Sequence, residues 1–192
     1  MKLTIGLGNP GRAYADSRHN AGFTVVKALA KKYKAVLKKD FAISSLSAKI
    51  KIAGQNIVLS VPLTFMNLSA LAVKPLVKKY KIGLNDLLVV CDDLDLEFGR
   101  LKIRASGASA GHRGVQSIID SLKKEDFARL RIGIGRPTHK DLETADYVLS
   151  PFTKKEKEGL REIIERAAEC CESWVTRGVT ETMNAFNKRS EG

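Results

Sequence analysis

Apolar and polar positions change period several times along the chain, and each change marks an element. Lys2 to Leu7 carries the first apolar run, a short strand that ends at the turn formers Gly8-Asn9-Pro10-Gly11. Phe23, Val26, Leu29, Ala30 and Tyr33 then recur at helical spacing, which predicts an amphipathic helix over 22–34 with Asn20 as its N-cap. Lys49 to Ile52 alternates, Gly54-Gln55-Asn56 turns, and Ile57 to Val61 returns, which predicts a β-hairpin. Ser69 to Tyr80 reads as helix, with Pro75 either kinking it or marking its true first turn. Leu87 to Cys91 is continuously apolar, as in a strand buried on both faces. Arg100–Arg104 and Arg129–Ile134 are further strands, Val115–Lys124 and Lys154–Arg177 further helices, and Gly178 stops the last.

Strands that alternate with helices, interrupted by one hairpin, predict an α/β fold. It is a three-layer sandwich with a mixed, mostly parallel sheet and helices on both faces. No repeat, low-complexity tract or long linker divides the chain, so residues 1–192 are read as a single domain.

Charge narrows the partner. Lys and Arg number 33 against 21 acids, a formal net charge of +12, which favours a polyanion such as nucleic acid or an anionic surface. No apolar run approaches the ~20 residues that a spanning helix needs, and the N-terminus lacks the pattern of a secretory signal. Cys91, Cys170 and Cys171 have neither a disulfide framework nor zinc-site spacing, so a reducing, cytoplasmic setting is expected.

Gly6-Leu7-Gly8-Asn9-Pro10-Gly11 matches the dinucleotide-binding pattern G-x-G-x-x-G, but its chemistry does not fit. Pro10 has no N–H for a pyrophosphate, and Asn-Pro-Gly turns rather than opening a helix. The acid expected about 20 residues on is missing; after Asp16 come six lysines before Asp40. The better candidates follow the ends of strands, where open α/β sheets bind ligands. Asn9 follows the first strand, Asn67 the hairpin, Asp92 and Asp93 the buried strand, and His112 the loop after Arg104; His19 precedes the first helix.

A histidine beside a carboxylate is the usual general-base pair, and neutral amides can donate to a developing oxyanion. No serine or cysteine has a nucleophile-elbow context, so an activated water is the expected nucleophile. Each residue has a plainer reading as well. His19 could cap or pack, Asn9 and Asn67 could be turn residues, Met66 core, and His112 structural. The acidic run Asp92 to Glu97 lacks calcium-loop spacing and a neighbouring histidine, so no metal is expected there. The lysines from Lys27 to Lys39 fit a solvated face as well as an RNA-facing one. His139 is assigned no role.

The ordered blocks are specific in combination. Gly6 to Gly11, Tyr14 and Arg18-His19-Asn20-Ala21-Gly22 come first, then Thr64 to Ser69 and Asp92 to Leu96. Gly111-His112 and Arg129 to Gly135 follow. Together they resemble bacterial-type peptidyl-tRNA hydrolase. The resemblance implies a cytoplasmic, monomeric enzyme without metal or cofactor that cleaves the ester between a peptidyl group and the 3′ ribose of tRNA. By position, His19 would activate water, Asp92 would orient it, and Asn9 and Asn67 would position substrate and stabilise the oxyanion. Tyr14 and Met66 would line the cleft near the tRNA 3′ end, and His112 would sit at its edge. Lys102 and Arg104, alternate residues of one strand, would share a face and hold the tRNA 5′ phosphate. Three positions depart from the family's usual pattern. Arg113 stands where asparagine is common and would reach a phosphate or base; Arg104 replaces lysine, and Asp93 replaces glutamate. The alternative function is a non-catalytic RNA-binding protein on the same fold.

Overall fold

The computed structural model describes residues 1–137 and 143–188; His139 lies outside them. Seven strands form one sheet in the order β2-β3-β4-β1-β5-β7-β6. They are β1 (Lys2–Gly6), β2 (Lys38–Asp40), β3 (Ser45–Ile52), β4 (Gln55–Pro62), β5 (Leu87–Asp93), β6 (Leu101–Arg104) and β7 (Ala128–Gly133). The central strands β4, β1, β5 and β7 run parallel, while β2, β3 and β6 pair antiparallel at the flanks.

β5 shows why the sheet has three layers. Leu87, Val89 and Cys91 enter one apolar cluster with α2 (Ala70–Lys79) and α3 (Arg113–Leu122). Leu88 and Val90 enter the other, with α1 (Ala21–Lys32) and α5 (Lys154–Phe186). Alternate residues thus fill opposite layers, so the strand must be apolar throughout. The short α4 (Thr144–Leu149) closes a smaller cluster, in which Tyr147 and Val148 meet Ile134 and Phe152.

Most elements that the pattern named stand where it put them, while β2 and α4 are additional and several of the named elements differ in detail. The hairpin turns at Ala53-Gly54, both at positive φ (47° and 80°), so Gln55 and Asn56 already belong to β4. This is the two-residue geometry that matches strand twist. Pro75 lies inside α2 rather than in its first turn; the N–H it lacks faces the carbonyl of Leu71, on an exposed turn. Gly178 breaks the last helix as expected (φ 81°, ψ 174°), but the helix resumes to Phe186. Beyond it, the Asn187 amide bonds both the N–H and the C=O of Ile103, covering the edge of β6. Finally, β6 runs antiparallel, so its loop leaves from the amino end of the parallel strands and must climb back to reach their carboxyl ends. Arg129 steadies that loop by donating to the carbonyls of Gly107 and Ala108.

The first two glycines of the apparent dinucleotide motif, Gly6 and Gly8, serve close packing instead. A Cβ on Gly6 would stand 2.2 Å from the carbonyl oxygen of Gly22, and one on Gly22 would stand 2.3 Å from that of Val90. The start of α1 therefore presses directly onto β1 and β5, where Leu7 bonds Val90 and Phe23 bonds Leu7. Gly22→Ala is expected to cost on the order of 3 kcal/mol, the upper range for overpacking. That corresponds to a fall of roughly 10 °C in Tm for a chain of this length. A thermal melt within about 2 °C of wild type would show that the helix can retreat freely.

Candidate active site

Packing α1 against β1 and β5 brings a three-residue 3-10 turn, Arg18–Asn20, above the end of β5. Each side chain of that turn meets a different element. His19 Nδ1 lies 2.8 Å from Asp92 Oδ1. Asn20 stands at the N-cap position of α1, yet its side chain does not cap the helix. It accepts from the Asn9 N–H (2.7 Å) and donates to the Asn9 carbonyl (3.0 Å), holding the first loop as a strand neighbour would. Arg18 turns away towards α4 and α5.

The cleft is about 620 Å³ and collects residues from separate stretches of chain. Asn9, His19, Met66, Asn67, Asp92, His112 and Arg113 all line it. Tyr14, Lys102 and Arg104 do not line it. Tyr14 is half-buried in the preceding turn, and Lys102 and Arg104 lie on β6 at the sheet edge.

Asn9 Oδ1 accepts the N–H of Met66 at 2.8 Å, so its Nδ2 group is the end left to donate into the cleft. Met66 itself is buried, and Gly114 provides the space for its sulfur: a Cβ there would lie 2.5 Å away. Asn67 is exposed on the next 3-10 turn, at the mouth.

Asp92 is the electrostatic centre, with its side chain 3% exposed. Its Oδ1 faces two imidazoles, His19 at 2.8 Å and His112 Nε2 at 3.1 Å. His112, expected at the edge, therefore sits against the carboxylate, 9% exposed and 4.9 Å ring to ring from His19. Its Nδ1 accepts from the N–H groups of Gly114 and Val115, which makes it the N-cap of α3. Nδ1 thus carries no proton, and Nε2–H is left to donate to Asp92. Burial drives the Asp92 carboxyl upward, but His112 and His19 outweigh it and hold the group well below the usual carboxylate range. With Nδ1 of His19 donating to that carboxylate, Nε2 keeps a lone pair facing the cleft.

Nucleophilic side chains are poorly placed by comparison. Burial pushes the Cys91 thiol far up, with the Asp92 charge adding to it, and Ser109 donates to Gln116. His19, Asp92 and His112 bring three donor atoms within 4.8 Å, the only such grouping among the described residues. The hydrogen bonds just described occupy those atoms with protons, and a cation there would have to displace both.

A second feature lies beside the cleft. On β6 and β7, Lys102 pairs in register with Arg131 and Arg104 with Arg129, on the sheet face opposite buried Leu101 and Ile103. Arg129 and Arg131 also line the cleft, so positive charge continues from its floor to the sheet edge. Burial and the neighbouring guanidiniums of Arg104, Arg131 and Arg100 lower the Lys102 pKa. Asp93 neutralises part of this charge through Arg131, at 2.6 Å. Arg129 and Arg131 were legible as charges at alternate positions of an otherwise apolar strand, but only the pairing with β6 gives them a shared face.

Comparison with known proteins agrees with this geometry. The family model for peptidyl-tRNA hydrolase matches residues 3–192. A peptidyl-tRNA hydrolase of Geobacillus thermodenitrificans is 46% identical, over 98% of this chain and 100% of that protein. That of Syntrophomonas wolfei is 45% identical, over 97% and 100%. The crystal structure of peptidyl-tRNA hydrolase from Acinetobacter baumannii superposes with a TM-score of 0.91 at 36% identity, covering 97% of this chain and 94% of that one. The chain belongs to the peptidyl-tRNA hydrolase family.

Proposed function

We propose that this chain hydrolyses the ester between a peptidyl, or N-blocked aminoacyl, group and the 3′ ribose of tRNA. The observation that carries the mechanism is the His19–Asp92 pair, with the second imidazole nitrogen open to the cleft. Nε2 of His19 takes a proton from water as the water oxygen attacks the ester carbonyl. Asp92 holds Nδ1–H and stabilises the imidazolium that forms. The Asn9 and Asn67 amides donate to the oxyanion or orient the water and ester. As the tetrahedral intermediate collapses, the carbonyl–O3′ bond breaks and His19 returns the proton to the departing ribose oxygen. The products are a free peptide acid and an uncharged tRNA.

His112 supports the pair from the other side of Asp92. Met66 shapes the cleft wall, Arg113 reaches a phosphate or base at its rim, and Tyr14 flanks the approach. The path of cations from Arg131 and Arg129 to Lys102 and Arg104 suits the acceptor end of tRNA, with the 5′ phosphate at β6. All seven strands share one sheet, which supports reading the chain as one domain; that it acts as a monomer in the cytoplasm is what the family resemblance implies. Among the described residues no helix is long and apolar enough to cross a membrane.

Release of N-acetyl-aminoacyl groups from tRNA, with a chelator present, tests this directly. The wild-type chain is expected to catalyse it, with kcat/KM falling as salt rises. Lys102→Ala combined with Arg104→Ala should raise KM about tenfold and flatten the salt dependence by about two phosphate contacts. Salt-independent turnover would indicate an ordinary esterase, and tRNA binding without release a non-catalytic relative.

A further inference from the structure

We propose that Arg18 is a positioning residue for His19, fixing the turn that carries the base to the α4 wall of the cleft. This deepens the hydrolase mechanism and rests on it. Arg18 is 4% exposed, and its guanidinium is held from several directions. Nη1 donates to Ser150 Oγ at 2.6 Å and to the Pro151 carbonyl at 2.7 Å, and Nη2 pairs with Glu156 at 2.7 Å. The guanidinium also lies 4.3 Å from the ring centre of Tyr147 and 5.4 Å from that of Phe152. The backbone repeats the connection, since Arg18 N–H bonds the Ser150 carbonyl and Ser17 bridges Pro151.

Stability alone does not explain such a group. A buried ion pair returns little net free energy relative to well-packed apolar side chains, but it tolerates only one geometry. Here that geometry bears on the adjacent residue. His19 makes its hydrogen bond to Asp92 from a turn only three residues long, so the path of the turn sets where Nε2 stands. Val148 and Leu149 of α4 line the cleft opposite, and Arg18 ties their helix to the same turn. A displacement of about 1 Å at a reacting group can cost about a hundredfold in rate.

Arg18→Lys and Glu156→Gln test the assignment in the full chain. Lysine keeps the charge without the planar fork. Glutamine removes the charge while still able to accept from Thr153 N–H in the capping box that starts α5. Three readouts are needed: kcat and KM on N-acetyl-aminoacyl-tRNA, the melting temperature, and the imidazole nitrogen resonances of His19. Arg18→Lys is expected to lower kcat about ten- to a hundredfold with KM within about twofold, and to shift the His19 Nδ1 resonance. Glu156→Gln should move both in the same direction by a smaller amount, and it decides the matter if Arg18→Lys does not fold. A lower melting temperature with unchanged kcat and resonance would make Arg18 a structural anchor only. A change confined to KM would assign it to the α4 wall alone. If wild type releases nothing, the hydrolase mechanism fails, while the resonance still reports whether Arg18 sets His19.

Discussion

Replacing His19 with alanine is expected to cut peptidyl-tRNA hydrolysis by about 10²- to 10⁴-fold while leaving tRNA affinity within about threefold of wild type. The separation of the two effects follows from the layout. The base stands above the end of β5, whereas the cations proposed to hold tRNA lie on β6 and β7. The fold should tolerate the change, because Asp92 would still receive the N–H of His112 and would not be left as an unpaired buried charge. His19→Asn is a useful companion. Its amide nitrogen is bonded to Cγ as Nδ1 is and can donate to Asp92, yet it offers no basic nitrogen, so it should melt closer to wild type and be equally inactive. Single-turnover release and filter binding of the same tRNA check both claims. Joint loss of binding and turnover would reassign His19 to binding or structure, and substantial residual turnover in both variants would remove it as the base.

The parts of the site that could be read from the sequence share one property: they follow a strand end or precede a helix in a way that periodicity alone locates. Asn9, Asp92 and His19 belong to this group, because β1, β5 and α1 are strongly apolar and their boundaries are marked. What depended on strand order was not legible. The 105–112 loop reaches the cleft as expected, but it does so from an antiparallel β6, and no local pattern records that strand's direction. For the same reason the in-register pairing of Lys102 with Arg131 could not be seen.

The missed elements have local causes. β2 is Lys-Lys-Asp, an edge strand with no apolar alternation, and α4 is only six residues long. Glycine at 178 reads as a helix end. What restarts the helix is tertiary: Thr182 bonds the Gly178 carbonyl, and Met183 and Phe186 pack on the core. The tie of His112 to α3 was not legible, because histidine is not among the usual N-cap residues and only the backbone donors reveal it.

Asp92→Asn is expected to lower kcat by about a hundredfold or more, with little change in KM. His112 constrains what the new amide can do. Because its Nδ1 is committed to the α3 backbone, it presents Nε2–H, and the asparagine must turn its oxygen towards both imidazoles. The His19 tautomer is then preserved, and what disappears is the negative charge that stabilises the imidazolium in the transition state. Stability against pH supplies a second, independent test. The folded-state pKa of Asp92 is depressed, so its contribution is fully present above the ordinary carboxylate value of about 4. That contribution is lost as pH falls from there towards the depressed folded value. Asp93 works with the opposite sign, since burial raises its carboxyl despite Arg131. The informative quantity is therefore wild type minus variant, which removes all of the Asp93 contribution except the part due to the Asp92 charge, the smallest of its causes. That difference should favour wild type near neutrality and shrink steadily below about pH 4. A difference that stays constant through the acid range would mean that Asp92 is not held ionised by the two histidines. Full activity in the variant would remove its charge from the mechanism.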